Sequence, residues 1–149
     1  MSGSRADALA RRVADNMLSK EGTGPSWGLV IEEVRQGYAR VRMALRPDMA
    51  NGHGIAHGGI IFSLADSAFA YACNSRNATT VAAHASISFL TPAKVGETLI
   101  AEAEERARNG RSGVYAVRVT AGDGRIVAEF QGLSREIGGP IVDPLESSS

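Results

Sequence analysis

One cysteine, no surplus of either charge and no long apolar run: each scarcity in this sequence excludes a class of protein. A single thiol, Cys73, rules out an internal disulfide and suits a reducing compartment. Sixteen basic residues against sixteen acidic ones leave no electrostatic case for nucleic acid or for an anionic membrane surface. No stretch approaches the roughly 20 apolar residues of a membrane span, and the N-terminus lacks the apolar region of a secretory signal. Of three histidines, His53 and His57 are four apart, but they sit in a glycine-rich loop with no third ligand nearby. A metal site is therefore not expected, nor any cofactor. The expectation is a cytoplasmic protein. Its 149 residues fit one domain, 1–149, with no internal repeat and no biased segment beyond the serine end.

What is present alternates between helix and strand signals. Residues 4–19 carry Leu9, Val13, Met17 and Leu18 at helical spacing, which predicts an amphipathic helix. Glu21–Pro25 breaks it. A strand is predicted from Trp27 to Val34. A second runs from Tyr38 to Leu45, where Ala39, Val41, Met43 and Leu45 alternate with arginines. After an irregular loop and one long helix come Thr80–Leu90, Thr98–Arg106, Ser112–Ala121 and Arg125–Ser134, all strand-like. An Asn109-Gly110 hairpin turn joins the middle pair. The tail from 140 to 149, with two prolines and a serine end, reads as loose. Two strands, a helix and four more strands imply an α+β arrangement: an antiparallel six-stranded sheet curled around a long helix.

That helix organises the chain. A loop rich in glycine and histidine, Asn51 to Gly59, runs straight into it. Ile60, Ile61, Leu64, Ala68, Tyr71 and Ala72 fall on one side, and Phe62, Phe69 and Cys73 on the other. A helix apolar nearly all round is expected to be buried. Asp66 sits in its middle, and an unpaired carboxylate there is costly, so it marks a candidate site. His84, in the third strand, is read as structural, and Cys73 as packing.

Asn51, the turn His57-Gly58-Gly59, and Ser63-Leu64-Ala65-Asp66 leading into alanine-rich helix resemble the signature of the hotdog-fold acyl-CoA thioesterases, in their phenylacetic-acid-degradation (PaaI-type) branch. Further similar stretches are Phe89–Ala93, Gly96–Leu99, Gly113–Tyr115 and Ser134–Gly139, so the resemblance spans roughly Trp27 to Gly139. It implies the hotdog fold, a dimer whose sheets join edge to edge, assembly to a homotetramer, and hydrolysis of an aryl- or arylacetyl-CoA to acid and coenzyme A. The rival readings are a hotdog hydratase and a non-catalytic acyl-CoA-binding module.

Thioester hydrolysis needs an activated water or nucleophile, a donor for the carbonyl oxygen, and a grip on the substrate. The first N–H groups of a helix are unpaired and its dipole favours negative charge, so the Gly58 amide is the candidate oxyanion donor. The plainer role for Gly58 and Gly59 is close passage past a strand. Asp66 is the candidate base or nucleophile, and the spacing does not choose between the two. The plainer role for Asp66 is structural pairing. Gly58 and Asp66 lie eight residues apart, about 12 Å along a helix, too far to serve one carbonyl from one chain. Two antiparallel helices across a two-fold axis would bring one chain's Gly58 to the other's Asp66. By the resemblance, Asn51 and His57 help to position the carbonyl or hold the loop; His57 has capping as its alternative. Some relatives place a hydroxyl on the strand after the helix; here that place reads Ala82-Ala83, leaving Thr79 or Thr80 as substitutes. Arg108 and Arg111 in a basic turn, and Arg135 after the last strand, are candidates for the phosphates of coenzyme A, with solvated surface as the alternative.

Overall fold

The structure is a computed structural model and describes residues 4–144. Helix α1 (Arg5–Lys20) starts where Ser4 Oγ accepts the Asp7 N–H at 3.0 Å. Its buried stripe is Ala10, Val13 and Ala14, with Met17 and Leu18 half-buried; small side chains let it lie close on the sheet edge. Strand β1 is shorter than the sequence suggests. Thr23–Ser26 forms one helical turn (α2), in which Trp27 N–H bonds back to Thr23 O, and Gly28 at φ +69° ends it. The strand therefore starts at Val30 and runs to Arg35. Strand β2 (Tyr38–Ala44), helix α3 (Gly58–Cys73), and strands β3 (Thr80–Phe89), β4 (Thr98–Asn109), β5 (Ser112–Ala121) and β6 (Ile126–Glu136) follow. The turn between β4 and β5 is Gly110-Arg111 rather than Asn109-Gly110. Gly110 takes φ +61° at the first central position, which fits the Gly-X type of hairpin turn.

All six strands make one antiparallel sheet in the order β1-β2-β4-β5-β6-β3. This is the expected α+β hotdog architecture: α3 lies against one face, and β3, reached only after the helix, closes the far edge. Inward residues alternate along each strand. Val41, Ala101, Val117, Val119 and Phe130 meet Leu64, Ala68, Phe69 and Tyr71 of the helix in one core. Phe69 packs on Phe130 and Tyr115 with ring centroids 5.7 and 5.5 Å apart. On the opposite face, paired positions carry Glu33, Arg40, Glu102, Arg118 and Glu129 in a row of alternating sign, a solvated surface.

Two edges close the sheet differently. β1 is covered by α1 and carries Glu32, Glu33 and Arg35. β3 has ten residues, none of them Asp, Glu, Lys or Arg, and most of it is exposed. His84 stands exposed on it beside a bulge at Ala82/His84.

Helix α3 is not buried all round. One sheet covers one side only, and a strip of Gly59, Ile60, Phe62, Ser63, Asp66, Ser67 and Ala70 stays half-open or exposed. On the covered side the fit is tight. A Cβ on Gly132 would lie 2.7 Å from the tip of the Phe69 ring, and Phe69 is 1 % exposed. Gly132→Ala should therefore cost ~1–3 kcal/mol as an overpacked core, read as a lower thermal midpoint.

The part of the tail after β6 that is described is anchored. Asn77, the one non-glycine residue at positive φ among the described residues, accepts the N–H groups of Ile141 and Val142 at 2.9 Å and donates to Val142 O at 2.8 Å. The tail is thus tied down at 141–142, and 145–149 lies outside the described residues. No described helix is long and apolar enough to cross a membrane.

Candidate active site

The loop before α3 is held from both sides. His57 N–H bonds to Met49 O at 2.9 Å and Ala56 N–H to Ala93 O at 2.7 Å. Asn51 Oδ1 accepts from His53 N–H at 2.9 Å and Ile55 N–H at 3.4 Å, and the Asn51 amino group has no acceptor among the described residues. His57 is the N-cap residue of α3: its Nδ1 accepts the Gly59 N–H at 2.9 Å. This leaves the ring N–H on Nε2. Of the first amides of the helix, Gly59's is therefore occupied and Gly58's has no acceptor among the described residues. A fixed loop ending in a free N–H at the positive end of a 16-residue helix is a preorganised donor for an oxyanion.

Asp66 lies two turns further on, in the half-open strip. It has neither a hydrogen bond nor an ion pair among the described residues, and burial is the one cause acting on its carboxyl. It raises the group above the ordinary 3.8. Ser63 and Ser67, on either side of it along the strip, turn their hydroxyls back to Gly59 O and Ser63 O at 2.8 and 2.9 Å. Cys73 is buried, and burial together with the charge of Asp66 pushes its thiol up to about 12, a packing group and not a nucleophile.

Gly58 lines a cleft of about 290 Å³ with Asn51, Ile55, Ile61, Phe89 and Leu90. Phe89 and Leu90 line this cleft; in the sequence they stand only as part of the similar stretch Phe89–Ala93, with no role assigned, although two large apolar residues close the strand before Pro92. Thr79 and Thr80 donate their hydroxyls to Gly139 O and Ala78 O at 2.9 and 2.8 Å, so both substitutes for the missing strand hydroxyl have those protons engaged.

Arg108, Arg111 and Arg135 are not brought to Gly58 in one chain. They gather at the other end of α3, about 22 Å away along the helix axis. Arg108 and Arg111 share a small surface cleft with Cys73 and Thr80, and Arg135 reaches Ser112 Oγ at 3.4 Å. Arg108 Nε lies 3.5 Å from Glu105, which also takes a two-pronged bond from Arg76 at 2.5 and 2.9 Å and the Tyr115 hydroxyl at 3.0 Å. Burial would lift the Glu105 carboxyl, but these partners outweigh it and hold it below its usual value. Arg111 has no ion pair among the described residues.

The six-stranded antiparallel sheet with α3 against one face is a hotdog fold, and the chain belongs to the thioesterase superfamily, whose family profile matches residues 53–128. Within it the chain is a thioesterase similar to the acyl-coenzyme A thioesterase PaaI of Escherichia coli, at 41% identity over 86% of this chain and 91% of that protein. The solved structure of E. coli PaaI, from the phenylacetic acid degradation operon, superposes with a TM-score of 0.89 at 38% identity, over 91% of this chain and 98% of that one. A Streptococcus pneumoniae hypothetical thioesterase solved with coenzyme A matches with a TM-score of 0.73 at 26% identity, over 75% of this chain and 90% of that one.

Proposed function

We propose that this chain hydrolyses acyl-CoA thioesters, with an aryl- or arylacetyl-CoA as its preferred substrate, to the free acid and coenzyme A. Asp66 acts as base or nucleophile and the Gly58 N–H receives the developing oxyanion. The observation that carries this reading is an unpaired, half-buried carboxylate on the open strip of the same helix whose first amide is unpaired. In the base pathway Asp66 takes a proton from water, the hydroxide attacks the carbonyl carbon, and charge builds on the oxygen held at Gly58. The C–S bond then breaks and the thiolate of coenzyme A leaves. As nucleophile, Asp66 attacks the same carbon, the C–S bond breaks and the thiolate of coenzyme A leaves, and water then hydrolyses the mixed anhydride to the free acid and Asp66.

The reaction needs two chains. The roughly 12 Å between Gly58 and Asp66 exceeds what one carbonyl can bridge. Meanwhile β3 offers ten uncharged residues of open strand edge, which soluble proteins rarely leave unpaired. Antiparallel pairing of two such edges extends the sheet across a two-fold axis, lays the open strips of two α3 helices together, and makes two equivalent composite sites. It would also bring the far-end arginines of one chain toward the Gly58 end of its partner, where Arg108, Arg111 and Arg135 would meet the phosphates of coenzyme A. Asn51 keeps its amino group free beside Gly58 for the thioester carbonyl, while His57 and Gly59 hold the helix start in place. Pairs of such dimers form the homotetramer, and a buried free thiol suits the cytoplasm.

Thiol release from phenylacetyl-CoA, benzoyl-CoA and straight-chain acyl-CoAs tests the reading. Turnover is expected, with the aryl substrates ahead. Tight binding of all of them without any thiol release would overturn it in favour of a binding module.

A further inference from the structure

We infer that Phe89 sets the acyl preference: its ring is the wall beside which an aromatic acyl group lies at the Gly58 amide. The inference rests on the thioesterase reading above and adds the element that selects among acyl groups.

Ala85, Ile87 and Phe89 alternate on the α3 side of β3, and Phe89 is the last ladder residue, opposite Ala128. Beyond it the backbone turns under the bonds Leu90 N–H to Val127 O at 2.9 Å and Thr91 N–H to Val127 O at 3.3 Å. The strand end is therefore rigid, and so is the origin of the ring. The ring is aimed at the helix start: a Cβ on Gly58 would lie 3.1 Å from Phe89 Cζ and 3.6 Å from both Cε atoms. The tip of a phenyl group thus touches the residue that carries the free amide. Yet Phe89 is 53 % exposed and Leu90 59 % exposed, the largest apolar surface beside the cleft.

Size and chemistry then choose the occupant. A cleft of about 290 Å³ sits just below the ~300–1,000 Å³ of pockets that hold drug-sized molecules, so it takes an acyl group and not the whole of coenzyme A. Its walls are Ile55, Ile61, Phe89 and Leu90, apolar groups that recognise a hydrocarbon by area. Gly58 and Asn51 both line it, and neither the Gly58 N–H nor the Asn51 amino group has an acceptor among the described residues. An aryl ring bound there meets the Phe89 ring edge or face, an arrangement that favours aromatic over alkyl chains beyond area alone.

The test is the ratio of kcat/KM for phenylacetyl-CoA to that for octanoyl-CoA in wild type, Phe89→Leu and Phe89→Tyr, with melting curves and sedimentation on each. Phe89→Leu should lower the ratio about three- to tenfold, and Phe89→Tyr, which keeps the ring, should stay within about twofold of wild type. A ratio unchanged in Phe89→Leu overturns the inference, whether the rates stay put, fall together for both substrates, or fall with weakened chain association. So does a ratio that falls equally in Phe89→Tyr. A wild-type chain that releases no thiol from either substrate instead sinks the thioesterase reading on which this rests.

Discussion

Asp66→Asn should lower kcat for thiol release by about 10³-fold and at the same time make the protein harder to melt. The activity loss follows from role: general-base or nucleophilic assistance of this kind contributes roughly 10²–10⁴-fold, and an amide supplies neither. The stability gain follows from environment. Asp66 is half-buried with no hydrogen-bond or ion-pair partner among the described residues, so its charged form is disfavoured in the folded chain and its pKa lies above the ordinary 3.8. A carboxyl raised on folding stabilises the native state fully below its unfolded pKa. That contribution is lost as pH rises through the folded value. At pH 7 the charge is a net burden, and the isosteric amide removes it. For a chain of this size the thermal midpoint should rise by ~2 °C at pH 7. The gain should shrink as the pH is brought down toward 3.8, where wild type is protonated as well. In wild type the acid limb of kcat against pH should lie above the ordinary carboxylate range, because only the ionised form can act. A variant that keeps wild-type turnover would remove Asp66 from the chemistry. One that melts lower at pH 7 would mean the carboxylate is paired after all.

The sheet and the helix were legible because they depend on local periodicity. Arg40 and Arg42 between Val41 and Met43 can only be a strand with one wet face, and Asp66 was conspicuous as the one charge in a sixteen-residue apolar helix. What sequence did not disclose depends on the number of layers and on distant closure. An apolar helix looks buried all round, but here a single sheet covers one side, and the strip it leaves open carries Asp66. Phe89 reads as a core residue, since nothing in a strand pattern says that its last inward position overhangs a helix start. The arginines look like one basic set with the site, though a helix of about 22 Å separates them from Gly58 within the chain. Trp27 was drawn into β1 because Glu21–Pro25 reads only as a break, whereas Thr23–Ser26 forms a turn of helix that takes Trp27 as its cap. The anchoring of residues 141–142 runs through Asn77, more than sixty positions away, which no local pattern could announce.

Two chains that are each dead should become active when mixed, if Gly58 and Asp66 serve opposite halves of a dimer. The clean lesion at the first position is Gly58→Pro. Proline removes the one free amide, and the first helical position tolerates it because no helical bond is lost there. The preceding residue is already suited, with His57 at φ −62° and ψ 136°, the extended region a following proline demands. The steric cost is confined to a Cβ 3.1 Å from the tip of Phe89, a half-exposed ring that need give only by a few tenths of an ångström and keeps its place beside the cleft. The helix should therefore persist while kcat falls about 10²–10³-fold, the usual loss of one oxyanion donor. Asp66→Asn supplies the second lesion. If the two are unfolded together in equal amounts and refolded, about half of the dimers are mixed, and each mixed dimer holds one site with both groups intact and one with neither. Activity should return to about a quarter of wild type, far above the sum of the two parents. Recovery that never exceeds that sum, in a sample shown by mass spectrometry to contain mixed dimers, would place both groups in the same chain's site and break the composite reading, because the helix spacing would then have to be bridged by the substrate itself.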